Sequence, residues 1–239
     1  MHSPRIALIH ATPVAIDPIV DAFKRLWPEA RTTNLLDDSL SADLAAEGRL
    51  TEQMTDRFLT LARYVHGCGA DAILFTCSAF GPAIDAVKAT LGIPVLKPNE
   101  AMLEEALAAG TRIGLIATFE PSIPSLKAEL EQLARHKRLS ISINSAMVPA
   151  ALAALHAGKG AEHDQLIADA AERIGDCDAL ILGQFSMASA AGIIKPRGLR
   201  KVLTSPASAV MQLKRTLFTR SGGRGAAHGH DGRLVTDGA

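Results

Sequence analysis

The chain has no excess of charge of either sign, because its 25 basic and 25 acidic residues cancel. A balanced charge gives no electrostatic reason to bind nucleic acid or an anionic membrane. No apolar run approaches the roughly 20 residues needed to cross a bilayer, and the apolar segment near the N-terminus is too short for a secretory signal. The expected partner is therefore a small molecule, with no nucleic acid and no membrane.

Cysteine and aromatic residues are also scarce. Three cysteines without a CxxC pair predict free thiols in a reducing cytoplasm rather than a disulfide framework. One tryptophan and one tyrosine give little support to base stacking or to an aromatic cage. No glycine-rich turn follows RIALIH or RIGLIA, so no dinucleotide phosphate site is expected. His228, His230 and Asp231 lie in an aperiodic segment without fixed geometry, so no metal site is expected there.

The chain does contain a regular alternation of strand-like and helix-like segments. Short β-branched runs predict strands at 5–10, 31–36, 71–76, 93–97, 112–118, 139–144, 178–183 and 201–204. Apolar residues three and four positions apart predict helices at 14–26, 50–65, 125–136 and 163–174. The alternation predicts an α/β fold in which mainly parallel sheets are flanked by helices.

The second half of this pattern repeats the first. The matched pairs are RIALIHATP (5–13) with RIGLIATFEP (112–121), DAILFTCSAFG (71–81) with DALILGQFSMA (178–188), and IPVLKPNEAMLEEAL (93–107) with RKVLTSPASAVMQLK (200–214). Three pairs in the same order predict two similar lobes, residues 1–98 and 99–218, related by a pseudo-two-fold axis. Residues 219–239 are Gly-rich, polar and aperiodic, which predicts a disordered tail.

The repeat also predicts the position of a functional site. Ligands of open parallel α/β sheets gather at the carboxyl ends of the strands, where Cys77 and Gln184 occupy equivalent positions. A two-fold relation brings these strand ends face to face, so the active site is expected between the lobes. The two turns and the loops after the first strand of each half supply the candidate substrate-binding residues, which are Thr12, Pro13, Ser78, Ala79, Thr118, Phe119, Gln184, Phe185 and Ser186.

Cys77 is the first candidate for a catalytic role. Pro82 favours a helix start just after it, and a helix N-terminus lowers a thiol pKa and offers N–H groups to a substrate carboxylate. The alternative is a small apolar residue buried at a strand end. His10 is the second candidate, as an acid or base, and its alternative is an ordinary hydrogen-bonded histidine. Glu120 is a candidate for the lining of the cleft, and its alternative is a solvated acidic residue.

Four apolar residues fall in the loops expected at the cleft, namely Phe80, Phe119, Phe185 and Met187. Together they favour a substrate whose side group is apolar and larger than that of aspartate. A core position capping its strand is the alternative for each of them.

With these features the sequence resembles the aspartate/glutamate/hydantoin racemase superfamily over residues 5–218. The resemblance rests on the duplicated α/β lobes and on the turn TCSAFG with its counterpart LGQFSMA. It implies a cofactor-independent isomerase acting on amino acids or related carboxylates. It further implies one cysteine on each lobe, on opposite faces of the carbon next to the carboxylate. Relatives are often dimers or larger, so a homo-oligomer is an expectation of the resemblance alone.

The chain departs from the family pattern at Gln184, which stands where the resemblance implies the second cysteine. An amide neither takes nor gives a proton near pH 7, so a symmetric two-thiol racemase is excluded. Three uses of Cys77 stay open. It can protonate an enediolate after loss of CO₂, as in relatives resembling arylmalonate decarboxylase. It can attack a double bond, as in maleate-isomerase-like relatives. It can also work with an acid or base such as His10 in an isomerase or epimerase. A carboxylate-binding protein without catalysis is the remaining alternative.

Overall fold

The fold was obtained as a computed structural model that describes residues 3–120, 122–198 and 200–224. Two four-stranded parallel sheets are flanked by helices, which confirms the predicted α/β fold with two similar lobes. The first sheet contains β1 (Arg5–His10), β2 (Arg31–Leu36), β3 (Ala72–Phe75) and β4 (Val95–Leu96). The second sheet contains β5 (Arg112–Ala117), β6 (Ser142–Met147), β7 (Ala179–Leu182) and β8 (Lys201–Thr204).

The described residues form these α-helices: α1 (Ile16–Leu26), α2 (Ser39–Glu47), α3 (Glu52–Gly67), α4 (Gly81–Thr90), α5 (Glu100–Ala109), α6 (Ser122–His136), α7 (Pro149–His156), α8 (Gly160–Ile174) and α9 (Ser205–Arg224). Three 3₁₀ segments occur at the ends of central strands, at Pro13–Ala15, Ser78–Phe80 and Phe185–Gly192. The four predicted helices are present as α1, α3, α6 and α8, with ends shifted by a few residues. None of the helices described here is long and apolar enough to cross a membrane.

The last helix runs further than the sequence suggested. Residues 219–224 were expected in a disordered tail, but they continue α9. A helix that has already nucleated adds residues at little cost, so its end can extend into a glycine-containing segment. The rest of that tail, 225–239, lies outside the described residues, as do His228, His230 and Asp231.

The two sheets share one topology. Their strand orders are β2-β1-β3-β4 and β6-β5-β7-β8, and all neighbouring strands pair in parallel. The register repeats as well, because Ile6 pairs with Ala72 in the first sheet and Ile113 pairs with Ala179 in the second. The central strands are buried along nearly their whole length, which is why they read as continuous apolar runs.

The helix that follows the last strand of each sheet packs on the other sheet. Val210 and Leu213 of α9 are buried against the first sheet, and Met102 and Ala106 of α5 are buried against the second. The two helices also contact each other. This exchange is reciprocal, as a two-fold relation between the lobes requires. Residues 205–218 follow the second sheet in the chain, but they complete the core of the first lobe.

Candidate functional site

The turn that carries Gln184 lies against the first lobe. Residues 185–192 contact residues 13–15 and α1. Phe185 is buried in an apolar cluster with Ile6 and Leu8 of β1. The carboxyl end of β7 therefore meets the first lobe beside β1. Phe185 packs on one face of the first sheet, and Cys77 packs with the cluster on the other face.

Cys77 stands at the start of the turn after β3. It is the residue before the 3₁₀ segment Ser78–Phe80, and α4 begins directly after that segment with Pro82 in its first turn, as the sequence predicts. The thiol is free and half-buried, while Ser78 and Ala79 are exposed. The backbone N–H of Ala79 acts on the sulfur in the direction that lowers the pKa of the thiol. This geometry leaves one side of the sulfur facing the turn and the other facing the core.

The expectation of a lowered thiol pKa is wrong. Burial raises the pKa of Cys77, because it removes water from around the thiolate, and the Ala79 N–H offsets only part of this effect. The helix N-terminus does not lower the pKa of the thiol enough to outweigh burial, because the sulfur packs against the buried apolar cluster of the first lobe. In the resting protein the Cys77 side chain is therefore a protonated thiol at neutral pH.

A small apolar pocket adjoins the sulfur. It has no room for a water molecule, and it is lined by Ile9, His10, Ala11, Leu40, Phe58, Phe75 and Cys77. All of these residues except Cys77 are buried. The pocket surrounds the thiol with hydrocarbon on its inner side, which is the physical origin of the raised pKa.

Most of the apolar residues that the sequence predicted to line the cleft are buried in the protein core instead. Phe80 is fully buried and its ring lies 4.7 Å from that of Phe58, between centroids. Phe185 and Met187 are also buried in apolar clusters. These three residues are core residues, which was the alternative interpretation: Phe80 and Met187 pack into the cores of their own lobes, and Phe185 packs into the core of the first lobe. Phe119 is 54% exposed and remains a candidate lining residue.

His10 is held inside the first lobe. Its Nδ1 lies 2.9 Å from Thr76 Oγ1 and its Nε2 lies 3.0 Å from Asn34 Oδ1. Burial lowers the pKa of His10 although the Asn34 hydrogen bond opposes this, so the ring is neutral at pH 7. Because Asn34 Oδ1 accepts the Nε2 hydrogen, Nδ1 accepts from the Thr76 hydroxyl. Both nitrogens are in use, which matches the ordinary hydrogen-bonded histidine.

Gln184 is held inside the second lobe. Its Oε1 accepts from the backbone N–H of Thr118 at 3.0 Å and from the Thr118 hydroxyl at 3.3 Å. Its Nε2 donates to Ser122 Oγ at 2.8 Å. Ser122 is the first residue of α6, so the amide links the end of β7 to the end of β5 and to this helix. Thr118 is buried, and its donors serve Gln184.

The other predicted substrate-binding residues differ in exposure. Thr12 and Ser186 are half-buried, and Pro13 is exposed. The sequence missed three residues that fix the site, because a polar residue in or after a strand gives no sign of its partner. Asn34 and Thr76 hold His10, and Ser122 holds Gln184.

Cations near the strand ends are paired with carboxylates. Arg57 Nη2 lies 2.6 Å from Asp37 Oδ2, close to the end of β2. Lys97, directly after β4, places Nζ 2.7 Å from Asp85 Oδ2. A substrate carboxylate at this edge would therefore rely on hydroxyl, amide and backbone N–H donors. Within the described ranges, no three His, Cys, Asp or Glu side chains are grouped to hold a metal ion.

Several solved structures share this fold. An aspartate racemase homologue from Pyrococcus horikoshii OT3 superposes with a TM-score of 0.67 at 17% identity, covering 89% of this chain and 98% of the other. Allantoin racemase from Klebsiella pneumoniae gives 0.63 at 18% identity, covering 91% and 89%. A glycine-to-cysteine mutant of arylmalonate decarboxylase in a sulfate-associated form gives 0.60 at 19% identity, covering 89% and 92%. At such identities the likeness establishes the fold.

The sequence itself establishes the family. No curated protein sequence matches the chain. Residues 10–213, however, match the sequence profile of Asp/Glu/Hydantoin racemase. This match includes both lobes, the Cys77 turn and the Gln184 turn. The chain therefore belongs to the Asp/Glu/Hydantoin racemase family.

Proposed function

We propose that the protein is a cofactor-independent racemase/isomerase-type enzyme that moves a proton at the carbon next to a substrate carboxylate, with Cys77 as the reacting group. Family membership supports an isomerase of the racemase type. The observation that carries the role of Cys77 is its position. A free, half-buried thiol stands at the carboxyl end of a central strand of the first lobe, directly before a 3₁₀ turn and a helix start.

The chemistry follows from the state of the sulfur. The minor ionised fraction of Cys77 acts as the base: the thiolate takes the proton from the carbon, and the electron pair of the C–H bond moves into an enediolate. Return of a proton from the Cys77 thiol gives exchange with retained configuration, whereas isomerisation needs a proton delivered to the opposite face of the carbon. The hydroxyl of Ser78, the hydroxyl of Ser186 and the amide of Gln184 are the donors proposed to hold the carboxylate oxygens. His10 is proposed to act through Thr76, the residue before Cys77, by keeping the strand end in place.

A lyase that resembles arylmalonate decarboxylase is the second candidate. The raised pKa of Cys77 favours it, because a protonated thiol is the form that delivers a proton to an enediolate left by loss of CO₂. The same raised pKa disfavours covalent attack on a double bond, since the thiolate is the nucleophile.

The test uses two substrate sets. Aspartate, glutamate and 2-phenylpropionate are incubated in D₂O, and label at the α-carbon is followed by NMR, while phenylmalonate is assayed for CO₂ release. We expect turnover with at least one set, and a loss of at least about 100-fold in Cys77→Ser, in line with removal of a general acid or base. Cys68→Ser is the matched control, because Cys68 is exposed and precedes β3 at the other end of the strand.

The outcomes separate the alternatives. Label exchange that depends on Cys77 supports the isomerase, and CO₂ release that depends on Cys77 supports the lyase. Activity that survives in Cys77→Ser overturns the role of the thiol. Tight binding of these acids without exchange or CO₂ release would instead indicate a carboxylate-binding protein.

A further inference from the structure

Helix α2 covers the pocket beside the Cys77 sulfur. Leu40 is the buried residue of this helix, and its side chain lines the pocket together with Phe58 of α3. While Leu40 is in place, the pocket has no room for a water molecule. The inner side of the sulfur therefore stays dry as long as α2 is docked on the first lobe.

Polar contacts hold α2 and the two residues before it in place, and three of them involve Arg57 of α3. The guanidinium donates to Asp37 Oδ2 and Ser39 Oγ, each at 2.6 Å, and to Asp43 Oδ2 at 2.5 Å. One side chain of α3 thus holds both the beginning and the middle of residues 37–47. This segment is named the lid.

A further hydrogen bond connects the lid to the loop after β1. Ser41 Oγ donates to the carbonyl oxygen of Ala11 at 2.8 Å. Ala11 follows His10, and both residues line the pocket. The lid therefore contacts two walls of the pocket, one on α3 and the other on the loop after β1.

The contacts that hold the lid are of a kind that breaks easily. The side chains of Arg57, Asp37 and Asp43 are 32%, 23% and 46% exposed, so water and salt screen both ion pairs. Besides Leu40, the lid adds the partly buried Leu44 to the apolar cluster of the first lobe. A segment with few buried apolar contacts and exposed polar contacts opens at a lower free energy than the core.

On the basis of the proposed function, we propose that the lid opens to admit substrate to the Cys77 sulfur, and that Arg57 is the residue that holds it closed. Opening moves Leu40 out of the pocket, so that the sulfur contacts substrate and water instead of hydrocarbon. Phe58, the neighbour of Arg57 on α3, stays behind as the fixed wall of the pocket.

The position of the lid also determines which form of Cys77 is present. With the lid closed, burial keeps the thiol protonated. With the lid open, water reaches the sulfur and stabilises the thiolate. The thiolate that takes a proton from carbon is therefore formed mainly in the open state, and closure over the substrate then excludes water.

Hydrogen exchange of the full chain tests whether the lid opens as a unit. The amides of residues 43–48 are the readout, because they bond within α2. We expect Arg57→Gln to speed their exchange by about 5-fold, as loss of two half-exposed ion pairs implies, and to leave α4 unchanged. Asp43→Asn removes one of the two pairs and should give a smaller rise. Arg63→Gln, which removes the same charge from an exposed position of α3, should change neither helix.

Alkylation of Cys77 tests whether the lid covers the sulfur. The variants are made in a Cys68→Ser background, iodoacetamide is the reagent, and mass spectrometry assigns the modified residue. We expect Arg57→Gln to raise the rate at Cys77 by about 5-fold, because the open state is populated more. Raising NaCl from about 0.01 M to 1 M shortens the screening length from about 30 Å to 3 Å. The rate should therefore rise with salt in the Cys68→Ser parent and stay constant in Arg57→Gln.

The outcomes separate this proposal from the proposed function. Faster exchange confined to the lid, together with faster alkylation, supports the role of Arg57. Unchanged exchange and alkylation in Arg57→Gln overturn it and leave the proposed function standing. Faster exchange throughout the first lobe also overturns it, because the variant would then have lost stability in general. If both readouts behave as expected but none of the acids and phenylmalonate reacts, the proposed function falls and the lid over the thiol stands.

Discussion

The two strand ends that the duplication makes equivalent differ in a few side chains. In the first lobe His10 ends β1, and Thr76 precedes Cys77. In the second lobe Ala117 ends β5, and a glycine precedes Gln184. The first lobe has thus a buried imidazole that fixes the residue before the thiol. In the second lobe the side-chain amide of Gln184 instead hydrogen-bonds to Ser122 at the start of α6. The lobes therefore differ at the positions where chemistry is proposed.

The raised pKa of Cys77 predicts its reactivity. In a Cys68→Ser variant, we expect the rate of alkylation of Cys77 by iodoacetamide to rise with pH. Its midpoint should lie above that of a free cysteine derivative measured in the same buffers, because burial disfavours the thiolate. Mass spectrometry assigns the modified residue. In urea the midpoint should return to that of the free derivative, and a midpoint below it in the folded protein would contradict this account.

The same pKa gives opposite pH profiles for the two candidate reactions. Exchange that begins with the thiolate should accelerate as pH rises towards the raised pKa of Cys77. Enediolate protonation by the thiol should slow over the same range. Initial rates between pH 6 and pH 10 distinguish them, provided the fold is checked by circular dichroism at each pH. A flat profile for both reactions would contradict a role for the ionisation of Cys77.

His10 predicts a loss of stability in mild acid. The unfolded chain protonates this histidine near pH 6.5, whereas the folded chain does so at lower pH, because burial lowers its pKa. Between these values the unfolded state binds the extra proton, so stability present above pH 6.5 falls as pH falls. We expect urea denaturation to show a smaller drop from pH 7 to pH 5.5 in His10→Gln than in the unaltered chain. Equal drops would show that another group is responsible.

Residue positions were easier to predict from the sequence than residue environments. The repeat placed Cys77 and Gln184 at equivalent strand ends, and the structure agrees. It did not show that Phe80 and Met187, three residues further along, point into the cores. Nor did it show that Thr118 donates to Gln184. Burial and pairing depend on residues distant in sequence, and a local pattern contains no information about them.

At the level of elements, Gly183 allows α6 to lie close to the second sheet. A Cβ at this position would lie 2.8 Å from Leu126 Cδ1 and 3.0 Å from the Ile116 carbonyl oxygen. The carbonyl belongs to a central strand that cannot move aside. We expect Gly183→Ala to lower the free energy of unfolding by about 1–3 kcal/mol, as overpacking does.

The control for this change is Gly67→Ala. Gly67 ends α3, and a Cβ at this position would meet no neighbouring side chain of the described residues within 4 Å. Urea denaturation of both variants gives the comparison. Equal stabilities for Gly183→Ala and the unaltered chain would show that the helix can shift. Activity measured alongside reports whether the neighbouring Gln184 keeps its place.

The central strands were predicted better than the edge strands and the helices. The central strands are apolar runs whose burial dictates their sequence, so their positions were nearly correct. The edge strand β6 was expected at 139–144 but spans Ser142–Met147, where backbone pairing with β5 sets the register. Helices α2, α5, α7 and α9 were not predicted. Helices α2 and α7 are short, and α7 is rich in alanine without a clear apolar stripe, whereas α5 and α9 were recognised only as matching segments of the repeat.

At the level of the whole molecule, the exchange of α5 and α9 joins the two lobes into one folding unit. Leu213 of α9 is fully buried against the first sheet, and Lys214 Nζ donates to the carbonyl oxygen of Leu26 at 3.2 Å. If the lobes separated together with their helices, each sheet would expose the apolar face that α5 or α9 covers. This shared core limits how far the Cys77 and Gln184 turns can separate.

This shared core predicts a single unfolding transition. Trp27, the one tryptophan of the chain, is buried between α1 and α9, with its ring 6.1 Å from that of Phe23. Its fluorescence reports the first lobe, while far-ultraviolet circular dichroism reports the helices of both. We expect the two signals to change at the same urea concentration. Leu213→Ala should shift both curves together, by about 2–5 kcal/mol in stability.

Met211→Ala on the same helix is the matched control, because Met211 is exposed and its loss should cost less than about 0.5 kcal/mol. If Leu213→Ala moves the fluorescence transition alone and leaves the circular dichroism of the second lobe in place, the lobes fold independently. The turn carrying Gln184 would then be positioned by its own lobe. Coincident shifts would instead show that the two lobes, and with them the turns of Cys77 and Gln184, unfold as one unit.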